Sequence, residues 1–331
     1  MLDPRIVRQK KNRRKALIST IICIAAVVFL AAMLVMHLND RYFHIGSIPS
    51  TYDVIRFFGS GAKPYAELSE GEIAVSFVDV GQGDCELITA NGCNILIDCG
   101  DVDKIDSTIG FLRYSGVEKL DLVIVTHPHD DHYGAMYKIL RDFDVGEVIM
   151  PELETDSRSY EKLYVEAARR GIPMRYAAAG ESFRLGEDMY LDILAPIFLD
   201  YDDENNFSIV ARLVYGETSF LFTGDLGRDG ELDLIDAGVT LRSDVLKVGH
   251  HGSAGSSSDE FLRAVAPRIA VFETGKINYY GHPRGEVLER LAAVGCSKAY
   301  STANNGNIVI ISNGKELREL TERETAYSFE E

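Results

Sequence analysis

Tryptophan is absent from the 331 residues, and cysteine occurs only five times. The missing tryptophan decides nothing. So few cysteines exclude a scaffold built on disulfides. Basic residues are outnumbered as well: 34 Lys and Arg stand against 51 Asp and Glu, a net charge of −17. That balance argues against a general phosphate-backbone binder, which needs clustered Lys and Arg. Internal repeats and low-complexity segments are also missing. What remains is ordinary globular material, 46% hydrophobic and 26% charged, which excludes a collagen-like or wholly disordered chain. The length suits one large or two small domains with a sizeable core.

A second absence is local. Residues 16–38 contain no Asp, Glu, Lys or Arg. Before them stand Arg5, Arg8, Lys10, Lys11, Arg13, Arg14 and Lys15 against one acid, Asp3. As a helix the apolar run reaches roughly 34 Å, enough for a bilayer core of about 30 Å. The basic flank predicts a cytoplasmic N-terminus and an extracytoplasmic body. A cleaved signal peptide is the rival, but its apolar region is typically about 7–15 residues. Here Met33, Leu34, Val35 and Met36 continue past Ala31-Ala32, so an uncleaved anchor is the better reading. The predicted organisation is a basic cytoplasmic stub at 1–15, a transmembrane anchor at 16–38, a linker at 39–69 and a folded body at 70–331. Gly46, Pro49, Gly59, Gly61 and Pro64 break any period in the linker. Tyr42, Phe43, Phe57 and Phe58 there suit either a membrane surface or packing on the body.

The body alternates strand and helix patterns. Residues 72–80 alternate, and 85–89 and 93–98 flank Asn91-Gly92, a strong hairpin signal. Residues 121–126 form a continuous apolar run typical of a buried strand. Further strands are predicted near 146–150, 188–194, 207–214, 218–223, 243–248, 268–273, 298–302 and 307–312. Helices are predicted near 103–115, 132–142, 158–170, 228–237, 257–265 and 284–294. Such an α/β order suggests sheets with helices on their outer faces. If the Asn-Gly turn sets the register, Cys85 and Cys93 do not face each other, and no disulfide is expected there. The tail beyond Leu320 is polar and is expected to be mobile.

Six of the eight histidines are His127, His129, His132, His250, His251 and His282. The first three belong to Thr126-His127-Pro128-His129-Asp130-Asp131-His132, directly after a predicted strand. In extended chain His127 and His129 project to one side and can converge on a metal. Asp131 and His132 begin a helix and turn toward a second point. Imidazole and carboxylate together suit zinc, manganese or iron. Thr223-Gly224-Asp225 ends another strand, where Asp225 alone would read equally as a helix cap. His250 and His251 follow a third strand. Along an extended chain they cannot point the same way, so one would ligate and the other would contact substrate or donate a proton. Gly281-His282-Pro283 places a histidine in a turn; alone it reads as structural.

Together these residues resemble the metallo-β-lactamase superfamily. More narrowly, Val78-Asp79-Val80-Gly81-Gln82-Gly83-Asp84, Ile95-Leu96-Ile97-Asp98-Cys99-Gly100, Asn205-Asn206-Phe207-Ser208 and His250-His251-Gly252-Ser253 resemble the corresponding domain of ComEC-type competence proteins. The resemblance covers roughly 72–313 and implies a four-layer αβ/βα sandwich with a dinuclear site at one edge. It implies one metal on His127, His129 and Asp225, and another on Asp131, His132, Asp225 and one of His250 or His251. Asp98 would support the ligand loop from behind. Many members carry another histidine ligand between the string and the bridging aspartate. No histidine occurs between His132 and His250. Asn205, Asn206 and Ser208 resemble its replacement, which leaves the His127/His129 metal with fewer ligands.

Two adjacent divalent ions, Zn2+ or Mn2+, suit phosphodiester hydrolysis. Lys247 or the spare histidine would offset transition-state charge, and Asp131 or a histidine, His282 included, would shuttle the proton. The expected function is a membrane-anchored extracytoplasmic phosphodiesterase with DNA as one candidate substrate. ComEC-type proteins carry a multi-span channel, so a separate membrane channel partner is a further expectation. One alternative is a small or cell-wall phosphodiester of the phosphorylcholine type, with Tyr279 and Tyr280 as a cage, although packing is the simpler role for both. The other is a non-catalytic, metal-stabilised docking domain.

Overall fold

The computed structural model describes residues 4–38, 68–153, 155, 157–323 and 327–328. The chain divides into two units, Met1–Lys63 and Pro64–Glu331. In the first, one helix runs Pro4–Leu38 and takes in the basic stretch as well as the apolar run. Its Lys15–Leu38 part is long and apolar enough to cross a membrane. Leu17, Ile21, Val28 and Leu34 are all exposed. A helix apolar on every face has no polar stripe to show to water. Thr20 donates its hydroxyl to Ala16 O at 3.0 Å, so even that polar group is satisfied inside the helix. The linker expected over 39–69 lies outside the described residues as far as 67, together with Tyr42, Phe43, Phe57 and Phe58.

The second unit is built on two eight-stranded sheets. The first runs, in spatial order, Leu317–Thr321, Ile308–Ser312, Ile73–Phe77, Glu86–Ala90, Cys93–Ile97, Leu122–Ile124, Val148–Met150 and Met174–Tyr176. The second runs Tyr327–Ser328, Lys298–Ser301, Ile269–Phe272, Val245–Lys247, Thr218–Phe222, Val210–Tyr215, Met189–Ala195 and Ser182–Arg184. Period-two alternation turns Val75, Phe77, Ile95 and Ile124 of one sheet toward Leu213, Phe220, Phe222 and Val271 of the other, in a single buried core. On the far face of the second sheet Leu221, Leu246 and Ala270 pack with Leu234, Phe261, Leu262 and Leu291 of its helices. The architecture is the expected four-layer sandwich.

Each sheet combines antiparallel pairs with a run of four parallel strands. Cys93–Ile97, Leu122–Ile124, Val148–Met150 and Met174–Tyr176 run parallel. So do Thr218–Phe222, Val245–Lys247, Ile269–Phe272 and Lys298–Ser301. Parallel strands need crossover helices, and their carboxyl ends therefore gather on one edge, where loops can meet. Asp98, Thr126, Asp225, His250 and Glu273 all follow such ends within a few residues.

The Asn91-Gly92 turn has both residues at positive φ, 50° and 78°, as a tight hairpin requires. Its register sets Cys93 opposite Ala90, while Cys85 stands just before the strand; both are free thiols. Three sequence expectations need correction. The helix expected at 132–142 is two, Asp130–Tyr133 and Met136–Asp142, split at Gly134-Ala135. Strands Met174–Tyr176 and Ser182–Arg184 were not expected; both are three residues long and unburied, so neither has an apolar signature. The tail beyond Leu320 is not simply free: Tyr327–Ser328 pairs antiparallel with Lys298–Ser301. A two-residue edge strand leaves no period to read.

Candidate metal centre

The site starts from Asp98. Directly after its strand it takes φ 53°, a left-handed conformation that Asp tolerates better than most side chains. Its carboxylate turns inward, where Oδ1 accepts from Thr126 N at 2.8 Å and Oδ2 from Thr126 Oγ1 at 2.6 Å. Oδ2 also lies 2.8 Å from His132 Nδ1. Asp98 thus ties the end of one strand to the histidine string on the next. Asp84 is pinned to the same string, its N–H donating to Asp131 O at 3.2 Å. Gly83 makes this approach feasible: it sits at φ 135°, and a Cβ there would collide with Asp131 O.

His132 and His251 carry the geometry further. The Asp98 carboxylate takes the Nδ1 proton of His132. Glu273 O, at 2.9 Å, takes that of His251. Each bond occupies Nδ1 and turns Nε2, the nitrogen a metal would take, into the site. Both Nε2 atoms and Asp225 Oδ1 are buried and lack a hydrogen-bond partner. They converge. His132 Nε2 lies 3.3 Å from Asp225 Oδ1 and 4.0 Å from Asp131 Oδ1. His251 Nε2 lies 3.4 Å from Asp225 Oδ2 and 3.3 Å from Asp131 Oδ2. Four ligands at about 2.1 Å around one ion stand about 3.4 Å apart. His132, His251 and Asp225 at this spacing fit a divalent metal; one ligand atom from each of them and one from Asp84 all lie within 4.8 Å of one another, and Asp131 stands beside them.

Protons stand in for that charge in the metal-free site. Burial disfavours a charged His251, but Asp225, Asp131 and Asp84 outweigh it and push its pKa up to about 10. His132 is raised in the same way by Asp225, Asp84 and Asp98 against its burial. Burial would raise Asp225, yet His251, His132 and Lys247 hold it well below the usual carboxylate range. An entering metal must expel these imidazole protons.

The other half of the string is arranged differently. Thr126 gives its hydroxyl proton to Asp98, so it accepts from His127 Nδ1 at 3.0 Å. His127 Nε2 then faces His129 Nδ1 at 3.0 Å. His129 Nε2 lies 3.4 Å from Glu204 Oε2, with its side chain 37% exposed. The Asn205-to-Ser208 segment splits by role. Asn206 Oδ1 accepts from Gly227 N and Gly230 N and so braces the next helix rather than facing a metal. Ser208 Oγ accepts from Asp225 N at 3.1 Å and orients the central aspartate. Asn205 Oδ1 is buried without a partner, so it alone of the three keeps a free donor atom.

His250 and His251 do not sit on extended chain. Both are left-handed, at φ 50° and 53°. The two rings splay, and His250 Nε2 stands 3.6 Å from Asp225 Oδ2 with its side chain one-third exposed. His282 lies beyond it, ring centroids 5.8 Å apart. Lys247 is fully buried and donates to Gly224 O at 3.0 Å. It therefore faces away from any open side of the site. Tyr279 and Tyr280 are not packing residues: they are 97% and 64% exposed, with Tyr280 stacked on His282.

Sequence reasoning gave no role to Asp84, Glu86 or Glu273. All three are buried. Asp84 Oδ1 and Oδ2 lie 3.2 Å from His251 Nδ1 and 3.7 Å from His132 Nδ1, behind both rings. The available signal was a charge inside an apolar run: Cys85-Glu86-Leu87-Ile88, and Val271-Phe272-Glu273.

The sequence matches the metallo-β-lactamase superfamily over residues 78–276. It is 32% identical over 241 residues to ComE operon protein 3 of Bacillus subtilis (strain 168), covering 67% of this chain and 31% of that protein. It is 32% identical over 252 residues to Competence protein ComA of Neisseria gonorrhoeae, covering 72% of this chain and 34% of that one. The chain thus spans about a third of the length of these relatives. Among solved structures, CmlA, a diiron β-hydroxylase from Streptomyces venezuelae, is 16% identical with a TM-score of 0.47, covering 77% of this chain and 55% of that one.

Proposed function

The chain belongs to the metallo-β-lactamase superfamily, and from that premise we propose that it is a membrane-anchored, extracytoplasmic phosphodiesterase. The observation that carries the reading is the convergence of unpartnered, buried His132 Nε2, His251 Nε2 and Asp225 Oδ1 beside Asp131. His132, His251, Asp131 and Asp225 would hold the first divalent ion, Zn2+ or Mn2+. His127 and His129, with Asp225 and Asn205, would hold the second. Such ions supply Lewis acidity toward a phosphoryl oxygen and an attacking water.

The chain's own groups do the rest. Ser208 and the Asp225 backbone hold the central carboxylate. Burial, helped by the nearby charge of His251, pushes the pKa of His282 down to about 4. Burial lowers His250 as well. Both rings are thus neutral near pH 7 and stand at the rim as proton acceptors. The competence relatives favour DNA as substrate and a membrane channel as partner. One observation favours a smaller phosphodiester. A cleft of about 770 Å³ is lined by Leu153, Tyr160, Tyr164, Tyr176 and Glu204, with no Lys or Arg among its described lining residues. Nothing there would track a second phosphate along a polymer.

The test is hydrolysis of bis(p-nitrophenyl) phosphate by the full chain in detergent, metal-free and with zinc or manganese. Metal-dependent turnover, lost in Asp225→Ala and His132→Ala, supports the phosphodiesterase. Stoichiometric metal binding without turnover on this ester, on DNA or on p-nitrophenyl phosphorylcholine overturns it in favour of a docking domain.

A further inference from the structure

Behind the ligand histidines lies a chamber of acids. One carboxylate oxygen each from Asp84, Glu86 and Glu273 falls within 4.8 Å of the others. All three residues are at most 1% exposed, and Glu86 Oε2 and Glu273 Oε2 lack hydrogen-bond partners. Buried carboxyl groups so close together are answered either by protons or by a compensating cation. Lys247 reaches in from its strand with 0% exposure. Its ammonium touches Asp84 Oδ2, donates to Gly224 O at 3.0 Å and stands 3.8 Å from Asp225 Oδ1.

We propose that Lys247 is the built-in cation of this chamber, filling the place a metal ion would otherwise take and holding Asp84 against the Nδ1 sides of His132 and His251. The chamber acids are oxygen donors of the kind that hard divalent cations bind. A tethered ammonium compensates them without drawing on the metal supply. It also keeps Asp84 and Asp225 from being pulled toward a stray ion. Lys247 is thus a positioning residue and does not touch substrate. Only its effect on His132 and His251 rests on the proposed ligand set; the chamber stands without it.

The experiment counts metal on the full chain in detergent. Wild type, Lys247→Met and a Lys247→Met/Glu86→Gln/Glu273→Gln triple variant are equilibrated with Mn2+, dialysed and analysed by mass spectrometry. The expected result is one additional manganese per chain in Lys247→Met and no such gain in the triple variant. A second expectation is that the first metal of Lys247→Met binds about 10-fold or more weakly, as for loss of an outer partner of a ligand. A folded Lys247→Met with the wild-type metal count and affinity overturns the proposal. If Lys247→Met folds only with added Mn2+, the proposal is supported. If it does not fold at all, Asp84→Asn/Lys247→Met removes both charges and is expected to fold. Failure of that double variant too would mean that Lys247 acts by packing, which overturns the proposal. No readout uses turnover, so failure of the phosphodiesterase reading leaves the result intact.

Discussion

The two ends of the histidine string are held in opposite ways. His132 is fully buried, its Nδ1 on Asp98 and its Nε2 open toward three convergent partners. His127 and His129 satisfy each other at 3.0 Å, and His129 leans on the exposed Glu204. A ligand whose outer nitrogen is fixed and whose inner nitrogen is free is ready for metal. One that is already bonded to its neighbour must give up a contact first. On the proposed ligand set, the difference teaches that one position is preorganised while the other is assembled on demand. The cause lies in the surroundings: Asp84, Asp98 and Glu273 stand behind one pair of rings, while the other pair has the Thr126 hydroxyl and an exposed acid.

The sharpest test removes the ready position. His132→Ala or Asp225→Ala is expected to weaken the first metal by more than about 100-fold in equilibrium dialysis, beyond what loss of an outer partner costs. His129→Ala should remove only the second equivalent. An equal loss of the first in that variant would break the comparison. Asp98→Asn keeps every ligand but weakens the hold on His132 Nδ1, and should cost about 10–100-fold in first-metal affinity. Acidity gives a graded version. His251 is pushed up to about 10, so below that pH the metal-free ring is charged and must lose its proton when metal enters. Affinity should therefore fall about tenfold per pH unit for each proton displaced as pH drops, with release visible by calorimetry in buffers of different ionisation heat. The smallest effect lies away from the centre. Ser157 Oγ caps helix Arg158–Arg170 by accepting from Ser159 N at 3.2 Å. Ser157→Ala should cost about 1 kcal/mol of stability in a denaturant titration and leave metal content unchanged.

Most of the fold was legible because it is written in local periods. The alternating run at Ile73–Phe77, the Asn91-Gly92 turn and the apolar run ending at Thr126 each declare an element without help from afar. His127, His129, Asp131 and His132 could be singled out for the same reason, since their spacing is a property of seven residues. Asp84, Glu86 and Glu273 could not, and Lys247 stands out only for a role at the substrate that its burial removes. Each looks like a charge at the end of a strand, and their meaning arises only when loops from two sheets meet. His250 and His251 show a third limit. Reading them as extended chain separates the rings, and the structure also separates them, but through two left-handed residues that no periodicity announces.

His132 lies on the first sheet's side of the centre, and Asp225 and His251 follow strands of the second. Neither sheet alone presents all the proposed ligands, so the ion can settle only after both sheets have closed on each other. Contacts made only after that closure are expected to be missing from the folding transition state. Metal should leave the folding rate unchanged and slow unfolding alone. An apo chain would reach its native form as quickly as a loaded one, and would simply not stay there as long when a protease is waiting.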